Sequence, residues 1–337
     1  MRKALISEKS LFGLAILLII LFELNVGHRV FYDDPVQAYL KGFYEEAYGL
    51  GASEELDAVG EKYERAYEEA IKGADPNDWM GQALIQNQTM LIEAVRAEIG
   101  RLRSLDARGI PAKAVNPYDY QAYLGAPQAT QRILVTLCEF IAAVLISMSC
   151  FSYEREKHMG GLIAASRERK RWFGRKLTVR LILTALFFLM AEGIYLVKIL
   201  KIYKFTGPGF PLKSLAIFEG FLSNPPIIVF LIGSFLLKLL LLLALSVWTS
   251  VLSAKLKGQA SSALVLILIV PSLFWLLGIR RLQAVSAGHF FAVFPWMLQG
   301  TAVRIICLGA ALLFIGAAAW TAVKLYREQE RRGITCG

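Results

Sequence analysis

Apolar residues gather in six runs, and a single polar region separates the first run from the other five. The runs cover residues 11–26, 133–152, 177–200, 227–252, 262–279 and 304–323. An α-helix needs roughly 20 apolar residues to cross the hydrocarbon of a bilayer, so the pattern predicts six transmembrane helices. Within the polar region the spacing changes. Val36, Tyr39, Leu40, Phe43, Tyr44, Ala47 and Leu50 recur at helical intervals, as do Leu56, Val59, Tyr63, Ala66, Tyr67, Ala70 and Ile71. Each stripe predicts an amphipathic helix. Ser53 followed by Glu54 and Glu55 supplies an N-cap and first-turn acids, and Asp75-Pro76-Asn77-Asp78 supplies a cap and a first-turn proline for a third helix ending near Arg103. That helix presents Leu84, Leu91, Val95, Ile99 and Leu102 along one face. From Ser104 to Gln131, Gly109, Pro111, Pro117, Gly125 and Pro127 predict irregular chain returning to the membrane.

The expected fold is therefore an all-α integral membrane protein of six transmembrane helices, with a helical extracellular domain between the first and second. Residues 1–27 form the cytoplasmic N-terminus and first span, 28–131 the extracellular domain, and 132–337 the remaining five spans. The first run follows a short basic stretch and precedes no small-x-small cleavage site, which favours a signal anchor over a cleaved signal peptide. Composition agrees with a membrane protein: 56% of the 337 residues are hydrophobic and the mean hydropathy is +0.49.

Charge fixes the orientation. The formal net charge is +10, yet residues 28–132 hold 17 acidic and 11 basic groups, so the rest of the chain carries the excess of base. Topology explains this split better than a nucleic-acid surface. Segments assigned to the inside hold 18 Lys and Arg, against five in the two short outer loops, Lys201, Lys204, Lys213, Arg280 and Arg281. Both termini are then cytoplasmic. The loop at 201–226, with three lysines, fits this rule least well. Nine of the 13 tyrosines fall in the polar domain, either packing a small helical core or forming an amphipathic surface for a ligand.

The densest basic stretch is Phe151 to Lys176, FSYEREKHMGGLIAASRERKRWFGRK. A basic loop between two spans is often no more than a topology determinant. Here the order of residues says more. Glu154, Arg155 and Glu156 follow the span directly, then Gly161 and Leu162, then Ser166 before Arg167, and Lys176 opens the next span. This order resembles the first cytoplasmic loop of permease subunits of the ABC type-2 exporter family. The chain differs from many relatives in having Ala165, Ser166 and Glu168-Arg169 where a proline or a Gly-Arg pair stands. The resemblance implies that residues 153–176 form a coupling helix docking on a separate cytoplasmic ABC ATPase subunit, through Glu154, Arg155, Glu156, Gly161, Leu162, Ser166, Arg167 and Lys176. It also implies a second permease copy or a related permease as partner, and export of a lipid, peptide, antimicrobial or glycan-type cargo across a bacterial cytoplasmic membrane.

Catalysis within the chain is not expected. No G-x-x-x-x-G-K-[ST] phosphate loop is present, so ATP and Mg would bind the partner ATPase. His28, His158 and His289 lie in three different loops, which gives neither a metal cluster nor a Ser/His/Asp set. Ionisable residues inside spans remain: Glu23, Glu139, Glu192 and Lys238. Such groups are costly in hydrocarbon and face protein or water. They either line a substrate path or pair with one another to hold helices in register, and Glu192 with Lys238 is the pair whose depths match. A rival to export is a receptor whose outer domain senses a ligand while the basic loop engages a cytoplasmic partner.

Overall fold

A computed structural model describes residues 13–20, 35–75, 77–124, 130–148, 150–151, 169–255 and 301–334. Among these the chain is helical and contains no β-strand. The polar region begins with α1 (Pro35–Glu46), α2 (Glu54–Lys72) and α3 (Trp79–Ala107). Ser53 caps α2, its side chain accepting a hydrogen bond from the Leu56 amide at 3.4 Å, with Glu54, Glu55 and Asp57 in the first turn. Asp78 makes no such cap for α3. Asp75 instead turns the chain ahead of that helix, its Oδ1 accepting from the Asn77 amide at 2.9 Å. At the far end Gly109 (φ 67°) closes α3, with its amide on the Asp106 carbonyl and the Ile110 amide on that of Leu105. This is the left-handed terminator glycine supplies most cheaply.

The three helices share one core. Leu40, Phe43, Tyr44 and Ala47 from α1 and the turn after it meet Leu56 from α2 and Leu91, Ile92, Val95 and Leu102 from α3. Leu84, assigned to the apolar face of α3, is exposed, because α3 outruns its partners near its start. The return segment is less irregular than expected: Pro117 opens a helix, α4 (Pro117–Leu124), as proline does in a first turn.

Four longer helices complete the described chain: α5 (Thr130–Met148), α6 (Arg169–Ile202), α7 (Ile227–Lys255) and α8 (Thr301–Ile334). Three stretches, residues 171–201, 227–253 and 308–325, are long and apolar enough to cross a membrane. α5 covers 19 residues and ends at Met148 rather than at Ser152, and Leu134–Met148 is apolar. Of the first expected span, residues 13–20 are helical. The fifth expected span lies outside the described residues. The basic residues Arg169–Lys176 belong to α6 itself, which therefore starts two turns before its apolar run.

α7 packs against α5, α6 and α8, and α6 also packs against α5 and α8. In α5 the apolar side chains are covered. Val135, Leu137, Cys138, Phe140, Ala142, Ala143, Val144 and Ile146 are all buried, as expected of a helix apolar on every side. By contrast α6, α7 and α8 keep rows of apolar side chains exposed, among them Leu186, Leu189, Leu236, Leu240, Leu312 and Leu313. Uncovered apolar area on this scale marks contact with lipid or another chain.

The connection between α6 and α7 is a packed structure. Two 3-10 turns, Leu212–Ser214 and Ala216–Phe218, bury Leu212, Leu215 and Phe218 against Val115 and Tyr120 of the polar domain and Phe140, Phe188 and Phe230 of the bundle. One continuous core thus joins the domain, this connection and the long helices.

Candidate functional site

Three helices meet at a buried cluster of charge. Lys238 of α7 places Nζ 2.7 Å from Glu139 Oε2 of α5 and 2.8 Å from Glu192 Oε1 of α6, and donates to Thr136 Oγ1 of α5 at 2.9 Å. An ammonium group has three N–H donors. Hydrogen bonds to Glu192 and Thr136 use two of them, and the Glu139 carboxylate lies at ion-pair distance. The side chains of Lys238, Glu139 and Glu192 are 9%, 0% and 1% exposed, and the Phe188 ring lies 5.7 Å from Nζ. Lys238 stands 11 residues into α7, about 17 Å along its axis, so this cluster sits deep in the bundle. Charges removed this far from water persist only when closely paired. The arrangement clamps three helices in one register. It brings together three of the four intramembrane residues picked out by sequence; Glu23, the fourth, lies outside the described residues.

A second polar level lies two helical turns along the same helices. Ser147 and Ser246 are 2.6 Å apart, and Thr184 donates to Ser246 at 3.3 Å. Each of these residues is eight positions from its counterpart in the charged cluster: 139 to 147, 192 to 184, 238 to 246. Sequence reasoning passed over them. The signal that could have found them is this shared offset of eight, two turns on one helical face, repeated in three apolar helices.

The end of the bundle away from the polar domain gathers the residues flanking the basic segment. Phe151 stacks on Phe173 at 4.9 Å between ring centres. Lys176 donates to the Cys150 carbonyl at 3.1 Å and lies over the Trp172 ring at 4.5 Å. Lys176, expected on the ATPase-docking surface, is therefore engaged at the base of that segment. Glu154, Arg155, Glu156, Gly161, Leu162, Ser166 and Arg167 lie outside the described residues. Arg180, the fourth residue of the third apolar run, is 2% exposed inside the bundle.

At the opposite end the polar domain is fastened to the connection between α6 and α7. Arg101 grips Glu98 with two bonds of 2.7 and 2.8 Å and donates to the carbonyls of Lys213 (2.9 Å) and Ser214 (2.8 Å). Burial pulls the Arg101 guanidinium down, but the bond to Glu98 and its charge outweigh that and raise it overall. Tyr44 is held well above its ordinary range by burial and then by Glu98, so it stays a neutral hydroxyl. Arg108 pairs with Glu219, Asn224 donates to the Pro111 carbonyl at 2.8 Å, and Tyr120 donates to the Thr206 carbonyl at 2.7 Å. Lys204 lies 3.6 Å from Glu45. The lysine-bearing connection that fits the charge rule least well thus rests against the acidic domain, which compensates its charge locally.

Among the described residues no group of His, Cys, Asp and Glu could hold a metal ion. No protein-family model matches the chain, and neither a curated protein nor a solved structure is similar to it.

Proposed function

We propose that this chain is the membrane-spanning permease subunit of an ATP-driven exporter, energised by a separate cytoplasmic ATPase. In this reading it crosses a bacterial cytoplasmic membrane six times with both termini inside, its polar domain is extracellular, and it works with a second permease copy or a related one. The observation that carries the reading is the residue sequence of the basic segment between α5 and α6. Its charge triplet, Glu154-Arg155-Glu156, its Gly161-Leu162 and Ser166-Arg167 pairs, and the pinning of its flanks by the Phe151–Phe173 stack suit a lever that must pass a push into the bundle. Conformational change on the ATPase would move this segment, and α6, which begins at Arg169, would transmit the motion to the Glu139–Lys238–Glu192 cluster. The cargo would be a lipid, peptide, antimicrobial or glycan-type molecule.

The test is a reconstituted complex with its ATPase. Reversing Glu154 and Glu156 to lysine should leave insertion and assembly of the bundle intact and abolish substrate-stimulated ATP hydrolysis. Undiminished stimulation in that double variant would place the contact elsewhere. A receptor that binds a ligand in its polar domain without moving cargo is the second reading. A cavity of about 350 Å³ where that domain meets the end of α6 favours it, and ATP-dependent transport into vesicles would rule it out.

A further inference from the structure

That cavity is built from both signs of charge. α1 contributes Lys41, Tyr44 and Glu45 and the turn after it Tyr48, while α4 adds Asp119 and the segment leaving α6 adds Lys204. Two ammonium groups and two carboxylates around one space suit a ligand that carries an anion and an N–H-bearing cation together. A purely anionic or purely cationic group would meet repulsion from half of the wall. The volume lies in the range of small-molecule sites. The wall can open to receive such a group, because Lys204 and Glu45 are 72% and 55% exposed and 3.6 Å apart, a spacing and exposure at which a pair contributes little. Tyr44, kept protonated by burial and by Glu98, adds a hydroxyl donor.

Position narrows the ligand further. Lys204 lies three residues past Lys201, the last residue of an apolar span, and since α6 runs on to Ile202 at most about 8 Å of chain separates them. The headgroup layer on each face of a bilayer is about 5–8 Å thick. Tyr48, on the cavity wall and 45% exposed, packs on Phe210 at 5.4 Å between ring centres, and tyrosine concentrates at the headgroup level.

We propose that this cavity binds the phosphoethanolamine headgroup of a membrane phospholipid. Lys41 and Lys204 meet the phosphate, and Glu45 and Asp119 accept N–H bonds from the ammonium. A choline headgroup has no N–H to donate, and a glycerol headgroup has no cation. The site does not depend on the transport reading; it requires only that α6 spans a membrane.

The test uses the full chain purified in mild detergent and offered an equimolar mixture of phosphatidylethanolamine, phosphatidylcholine and phosphatidylglycerol with identical acyl chains. Native mass spectrometry should find phosphatidylethanolamine retained about tenfold over the other two, the scale of one charge-assisted hydrogen bond. Water-soluble glycerophosphoethanolamine should compete it away. Lys41→Gln with Lys204→Gln should bring the three lipids to parity, while Lys62→Gln, at an exposed ion pair elsewhere in the domain, should keep the preference. Should the double variant fail to fold, Lys204→Gln alone decides the matter by the same loss. Equal retention of the three lipids, or a preference unchanged in the Lys41 and Lys204 variants, would overturn the proposal. So would binding of glycerophosphoethanolamine without retention of the lipid, which would assign the cavity to a soluble ligand.

Discussion

Lys238 is more deeply committed than a simple ion pair, because its ammonium faces two carboxylates, Glu139 and Glu192, and also donates to Thr136. Its removal strands two carboxylates at once. Breaking a buried pair typically costs about 3–5 kcal/mol, whereas replacing all its members by uncharged groups of similar shape is often close to neutral. Lys238→Met should therefore unfold or strongly destabilise the bundle, and adding Glu192→Gln alone should restore only part of the loss. The triple variant with Glu139→Gln should return close to wild-type stability. Thermal unfolding of the purified single, double and triple variants checks this, and a Lys238→Met protein as stable as wild type would show that the cluster holds nothing together. Pairing of Glu192 with Lys238 could be read from the sequence, since depth along two helices is simple arithmetic. The share of Glu139 could not, because depth says nothing about which face of α5 turns toward α7.

Arg101 decides how α3 meets the connection between α6 and α7. Its side chain is 11% exposed and that of Glu98 is 9%, and both belong to a helix whose charged residues a sequence pattern assigns to solvent. Arg101→Met should cost about 3–5 kcal/mol by leaving Glu98 buried without its partner and by orphaning two carbonyls. Arg101→Met with Glu98→Gln should recover much of it. Chemical denaturation followed by tyrosine fluorescence of the domain provides the readout, and a loss below about 1 kcal/mol, the value of an exposed pair, would contradict the buried assignment. The helices themselves were legible: Ser53 capping α2 and the stripes of α1 and α2 follow from periodicity and local hydrogen bonding. α4 was not, because Pro117 reads equally as a breaker or as the first residue of a helix. The end of α5 was misjudged for a related reason. Hydropathy continues past Met148, and nothing in composition marks where the helix ends.

Over the whole molecule, the polar domain and the α6–α7 connection occupy one end of the bundle, and the flanks of the basic segment occupy the other. The proposed orientation, with the basic end inside, predicts that a cysteine replacing Asp75 reacts with an impermeant thiol reagent in intact cells, and one replacing Glu168 only after permeabilisation. Of the native cysteines, Cys138 and Cys150 are buried, and Cys307 and Cys336 are replaced by serine for this assay. The reverse pattern would invert the orientation and remove the headgroup site from the outer leaflet. The separation of charge that underlies this expectation is plain in the sequence, whereas the docking of an acidic domain on a lysine-bearing connection is a long-range contact that no local pattern records.

The joint between them has an asymmetry with evolutionary weight. Three of its bonds run from side chains of the domain to main-chain oxygens at Thr206, Lys213 and Ser214. A main-chain oxygen survives almost any substitution at its own position, so these three contacts constrain Arg101 and Tyr120 far more than the residues that receive them. Thr206 and Lys213 can therefore change side chain without loss of these bonds, whereas Ser214, Glu219 and Asn224 meet the domain through their own side chains and share its constraint.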